Sequence, residues 1–241
     1  MTPGPEASAS AFDRDATHNR GYLYTTNARL SSELANRRLT LAALAVSDLR
    51  GKRVLDVGCG DGTYTVELFD GGRPARMYGV DPSREAIAIA RQKTGGREIT
   101  FEVHDASDLP LADGSFDVAH LRGILHHADR PIDVLREAFR LAPELIVLEP
   151  NGYNPVLKLI EKTSRYHREH GEKSYAAATL DRWVEELGGR VTVRKWIGLV
   201  PFFCPDWAAR VLKAVEPVIE RIPIVGAGSC AVYVQVAVRD V

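Results

Sequence analysis

The segment Asp56-Val57-Gly58-Cys59-Gly60-Asp61-Gly62 constrains this chain more than any other. Three glycines alternate directly after a short apolar run, Arg53 to Val57, and directly before a stretch with helical spacing, Thr63 to Phe69. Each glycine costs backbone entropy, and a plain strand-to-helix turn needs at most one. Three in alternation describe a loop whose backbone approaches a ligand closely, as helix N-termini do when they receive polar or anionic groups.

The same strand-and-helix rhythm continues on both sides. Leu30, Leu34, Leu41, Leu44 and Ala45 have helical periodicity, giving an N-terminal helical segment within 27–49. Strands are expected at 53–57, 76–80, 99–103, 116–121, 145–149, 191–197 and 231–238, and helices at 63–69, 83–93, 131–141 and from 178 to the glycine pair Gly188-Gly189. Strands alternating with helices imply a parallel sheet covered on both faces. Two segments break the rhythm, 151–177 and 198–229. They follow strands, where open α/β sheets gather ligand-shaping connections, and read as lid insertions.

The 241 residues suffice for one core, and 45% hydrophobic with 26% charged residues is the balance of a folded globular chain. A net charge of -1 supplies no positive field for a phosphate backbone, so a nucleic-acid partner is not expected. Cys59, Cys204 and Cys230 are odd in number and lack metal-ligand spacing, which argues against a disulfide framework and a zinc site and fits a reducing cytoplasm. The start MTPGPEASASAF has neither the basic nor the apolar part of a secretory signal, and no apolar run reaches membrane-spanning length. Residues 1–20 are expected to be a flexible tail and 21–241 a single domain.

VLDVGCGDGTY resembles the signature loop of the class I S-adenosylmethionine-dependent methyltransferases, an acidic residue followed by alternating glycines. A nicotinamide fingerprint would separate its last two glycines by two residues, whereas Gly60 and Gly62 are separated by one. The resemblance implies a Rossmann-like seven-stranded, mostly parallel sheet with an antiparallel last strand, and S-adenosylmethionine as methyl donor with S-adenosylhomocysteine as product. It implies that Asp56 and the loop Gly58, Cys59, Gly60, Gly62 and Thr63 hold the methionine end. Asp81, about 20 residues past the first glycine and followed by Pro82, is assigned to the ribose hydroxyls; a cap for the next helix is its other reading. By the same resemblance Asp105 accepts from the adenine amino group, the Ala106 amide meets the ring, and Leu121 and Arg122 flank the cofactor. Tyr24 and Arg29 are assigned as covers over it, with ordinary helix packing as the equal alternative. The match is good over 50–150, the cofactor-binding half, and rests on topology elsewhere; the family's Pro-Gly-Gly turn is here the shorter Leu141-Ala142-Pro143-Glu144.

Acceptor-side chemistry is less determined. Leu125-His126-His127 offers imidazoles that titrate near neutrality, so His126 or His127 can act as general base, although a structural imidazole that caps a helix or packs on adenine is the favoured reading. His167, His170 and Tyr175 lie in a stretch rich in proton-transfer groups and are candidate acceptor contacts; no recognised metal pattern is present. Trp207, Val211, Leu212, Val215, Val218, Ile219 and Ile222 recur at helical spacing. That stripe reads as core or as a homodimer contact, with a lid over an apolar or lipid-linked acceptor as a further reading. The function expected is methyl transfer to a small molecule, with oxygen favoured over nitrogen or carbon. The alternatives are a nicotinamide-dependent oxidoreductase and a noncatalytic S-adenosylmethionine-binding module.

Overall fold

The computed structural model describes residues 29–163 and 173–239. Its strands are β1 (Arg53–Val57), β2 (Arg76–Asp81), β3 (Ile99–Val103), β4 (Val118–Arg122), β5 (Glu144–Pro150), β6 (Arg190–Ile197) and β7 (Val232–Val238). They form one sheet in the order β3-β2-β1-β4-β5-β7-β6. β1 to β5 run parallel, and β7 is antiparallel to both β5 and β6. The strand order reverses between β1 and β4, which places the ligand crevice of such a sheet beyond their carboxyl ends.

The helices are α1 (Leu30–Val46), α2 (Thr63–Gly72), α3 (Arg84–Gln92), α4 (Pro131–Leu141), α5 (Pro155–Thr163), α6 (Ala177–Glu186), α7 (Asp206–Ile219) and α8 (Pro223–Ser229), with a 3-10 turn at Leu125–His127. Alternation along the strands explains the two-sided core. Leu55, Val57, Leu121, Leu145 and Val147 face one way, onto Leu135 and Phe139 of α4 and Leu180 and Val184 of α6. Val54, Val118, Ile146 and Leu148 face the other way, onto Leu39, Ala42 and Ala43 of α1, Leu68 of α2, and Ile87 and Ala90 of α3.

The segments 151–177 and 198–229 do carry elements of their own, α5 in the first and α7 with α8 in the second. The expectation that the 207–222 stripe is core is overturned. In α7 the buried residues are Ala209 and Glu216, while Trp207, Val211, Val215 and Val218 face outward. Carboxylates fix this orientation: Glu216 and Glu220 point toward α1, and Glu220 accepts from Arg38 Nε at 2.9 Å. No helix among the described residues is long and apolar enough to cross a membrane.

Candidate functional site

Gly58, Gly60 and Gly62 all take left-handed φ values of 73°, 55° and 76°, which L side chains adopt only at a cost. Packing adds a second demand. A Cβ on Gly58 would lie 2.9 Å from Ile124 Cδ1, and one on Gly62 would lie 2.8 Å from Ala90 Cβ and 2.9 Å from Phe101 Cζ. Two of the glycines are therefore required by the protein's own interior. The loop is laced to β2: the Gly58 and Cys59 amides donate to Val80 O, and the Gly60 amide donates to Asp81 Oδ2 at 2.9 Å. The other Asp81 oxygen accepts from the Ser83 amide at 2.9 Å, while Ser83 Oγ caps α3 by accepting from Ala86 N. The helix cap expected of Asp81 thus falls to Ser83, and the buried Asp81 carboxylate instead ties the glycine loop to the start of α3; Pro82 beside it is exposed. Burial pushes the Cys59 thiol up, and the neighbouring Asp81 and Asp56 push it further, so it is no nucleophile.

Asp56 is buried behind this loop. Its Oδ2 accepts from Thr65 Oγ1 at 2.5 Å and its Oδ1 from His120 Nδ1 at 2.8 Å. That pairing puts the His120 proton on Nδ1. Arg122, two residues further along β4, donates to Thr40 Oγ1 and Asn36 Oδ1 of α1 and lies 3.6 Å over the ring of Tyr64. Burial lowers its guanidinium pKa. Leu121 is fully buried among the core side chains on the other face. At the crevice rim Asp105 is exposed, its Oδ1 accepting from the Ser107 amide and hydroxyl, with Ala106 half-buried next to it. Thr63 opens α2, and its hydroxyl accepts from Lys93 Nζ at 2.6 Å; that ammonium also pairs with the buried Asp61. Arg29, exposed, precedes α1 and accepts from Glu33 N through its backbone oxygen.

A carboxylate that sequence reading missed organises the turn after β4. Glu149, near the end of β5, is buried; its Oε1 accepts from the Ile124 and Leu125 amides at 3.0 and 2.8 Å, and its Oε2 from His126 Nδ1 at 2.8 Å. One side chain thereby shapes the turn after β4 and orients the His126 imidazole, leaving Nε2 as its basic nitrogen. The rings of His126 and His127 sit 3.9 Å apart. Glu149 belongs to the same sheet face as α4 and α6, and Asp56 with His120 to the opposite one, so the crevice is locked from both sides. The available signal was an acid following the apolar run Leu145 to Leu148.

Tyr175 packs edge-on against Trp183, with ring centroids 4.9 Å apart. Burial raises the pKa of its phenol, and the charge of Glu149 raises it further. Asn151 and Asn154 donate to Cys230 O at 2.9 and 3.1 Å, joining the loop after β5 to the end of α8. Tyr24, His167 and His170 lie outside the described residues. Among the described residues no cluster of metal-ligating side chains occurs.

A β1/β4 switch point with a laced glycine loop and buried carboxylates at the ends of β2 and β5 is the arrangement of a Rossmann-like fold. Residues 55–153 match the family model of the methyltransferase domain, and this match, together with the methyltransferases that follow, supports a class I S-adenosylmethionine-dependent methyltransferase. It is 31% identical over 150 residues to an O-methyltransferase, cnsE, of Penicillium expansum, a match covering 57% of this chain and 54% of that one. It is 28% identical over 198 residues to the 27-O-demethylrifamycin SV methyltransferase of Amycolatopsis mediterranei, covering 76% and 70%. The chain thus spans about half the length of the first of these relatives. The magnesium protoporphyrin IX methyltransferase of Synechocystis, solved with bound S-adenosylhomocysteine, shares the fold at a TM-score of 0.64 and 18% identity, over 97% of this chain and 96% of that one.

Proposed function

We propose that this chain transfers a methyl group from S-adenosylmethionine to a hydroxyl of a small-molecule acceptor, with 50–150 as the cofactor-binding half and 151–229 as the acceptor side. The observation that carries the reading is the glycine loop bonded to Asp81, because it gathers backbone and carboxylate at the point where the strand order reverses. Asp81 accepts the ribose hydroxyls, Asp105 the adenine amino group with the Ala106 amide at the ring, and the backbone from Gly58 to Thr63 borders the methionine end. Asp56 acts through Thr65 and His120, holding the loop in place. Bound there, the cofactor supplies an electrophilic methyl carbon on a sulfonium sulfur.

The O-methyltransferase relatives support oxygen as the nucleophile. So does the Glu149–His126 pair. A carboxylate acceptor is already ionised at neutral pH and needs no base, whereas an alcohol or phenol must lose a proton. His126, held through Nδ1 by Glu149, takes that proton on Nε2 as the acceptor oxygen bonds to the methyl carbon; the carbon–sulfur bond breaks with its electron pair going to sulfur. Alignment and exclusion of water supply the rest of the rate. The half-buried Tyr175 contributes to the acceptor wall.

Calorimetric titration with S-adenosylmethionine, S-adenosylhomocysteine and NADH tests the reading, repeated on Asp81→Asn. Adenosyl ligands binding the parent and weakening about tenfold or more in the variant is the expected result. Binding of NADH alone would reassign the chain to the oxidoreductases; tight adenosyl binding without turnover over a panel of phenols and alcohols would make it a binding module.

A further inference from the structure

We infer that the outward face of α7 and α8 seats on an anionic lipid surface. The argument begins with an inverted helix. Trp207, Val211, Val215, Val218 and Ile222 repeat at spacings of four and three, so they form one stripe. Ala209, Glu216 and Glu220 form the stripe on the other side, and it is this polar side that docks on the protein. Glu216 accepts from the Leu199 amide at 3.1 Å and pairs with Lys213 and Arg38; Glu220 accepts from the Gly198 amide at 2.9 Å and from Arg38. Turning the helix over to bury its apolar stripe would strand these groups, so its orientation is fixed.

What remains outside is strongly apolar. Trp207 is 72% exposed, Val218 58% and Ile224 of α8 88%. α8 packs against α5, where Val156 and Leu159 are each 62% exposed, and this extends the apolar surface. Contiguous apolar area of this kind marks an interaction site on an otherwise ordinary surface.

Charge selects the occupant. Of the three carboxylates in 206–220, Glu216 and Glu220 are turned inward and neutralised, and Asp206 stands at the N-terminal end of α7. Arg210 and Arg221, both exposed, border the stripe without an ion-pair partner among the described residues. An apolar face rimmed by arginine, with a tryptophan at one end, complements anionic headgroups over acyl chains. A second copy seated on the same face would bring arginine rims together with Asp206 as the one outward acid of α7 to meet them.

Flotation of the full-length protein with phosphatidylcholine vesicles, with and without phosphatidylglycerol, tests this. The protein is expected to float with the anionic vesicles and to shift its tryptophan emission to the blue, a shift absent in Trp207→Phe. Val211→Gln with Val218→Gln, folded by circular dichroism, should lower partitioning at least about tenfold. Arg210→Ala and Arg221→Ala should each lower it roughly fivefold, about 1 kcal/mol. Failure to float overturns the inference. So does a dimer seen by light scattering that the paired glutamine substitutions dissociate, which gives the face to a second copy. Trp207 emission already blue and shielded from acrylamide before vesicles are added also overturns it, because the chain's own remaining segments would then cover the face.

Discussion

The two halves of the molecule handle polarity in opposite ways. From β1 to β4 apolar side chains point inward and the few buried polar ones, Asp56, Asp61, Thr65, Asp81, Ser83 and His120, are bonded to one another, to backbone or, for Asp61, also to Lys93 around the glycine loop. From β5 onward the inserted helix α7 is attached through carboxylates and leaves valines and a tryptophan outside. A site common to a whole family needs rigid internal satisfaction, whereas a surface that meets one particular acceptor or partner keeps its adhesive groups outward. Substitutions on the two sides should therefore differ sharply.

The largest effect is expected at Gly62. Gly62→Ala adds a Cβ 2.8 Å from Ala90 Cβ at a φ of 76°, combining strain with overpacking for about 3 kcal/mol of lost stability, read by chemical denaturation. A near-neutral result would mean that the loop yields, and the contrast between the halves would weaken. Glu149→Gln keeps the shape of the turn but removes the charge facing His126. Methyl transfer should fall about tenfold to a hundredfold, and the acid limb of kcat/KM should move to lower pH, since the imidazolium loses its partner. An unchanged pH profile would make Glu149 merely structural.

Glu137 of α4 gives a smaller effect. Arg140 and the Leu109 amide hold its carboxyl below the usual range. Its folded-state value is depressed, so its stabilisation is present above the unfolded value of about 4.3 and is lost as pH falls through the folded one. Glu137→Gln should cost about 1 kcal/mol at neutral pH and progressively less in acid, in parallel denaturation series. The smallest effect lies on the outward side. A Cβ on Gly228 of α8 meets nothing within 4 Å, so Gly228→Ala should stabilise the protein by about 0.5 kcal/mol through helix propensity. The same substitution thus changes sign between the loop and α8.

Much of the first half was legible because its signals are local. Alternating glycines, a strand of Val and Leu, and an acid at a strand end are each written within a few residues, and the sheet assembled as the family resemblance implied. The pairings that cross strands were not legible. Asp56 meets His120 because β1 and β4 are neighbours in register, and Glu149 meets His126 because the turn after β4 passes the end of β5. Residues 64 and 23 positions apart leave no local trace of such contacts. The stripe of α7 was visible from its periodicity, but periodicity does not say which way a stripe faces. That was decided by Arg38, 182 residues from Glu220.

The Arg38–Glu220 contact also has a kinetic side. α1 lies against α2, and two of its long-range bonds, Ser31 Oγ to Phe202 O at 2.8 Å and Arg38 to Glu220, join parts of the chain more than 170 residues apart. Closing so long a loop is slow, and the return comes only once the sheet between its ends exists. The docking of α7 on α1 should be among the last events of folding, and a pulse of hydrogen exchange during refolding should find the amides of Gly198 and Leu199 protected after those of β1 and β4.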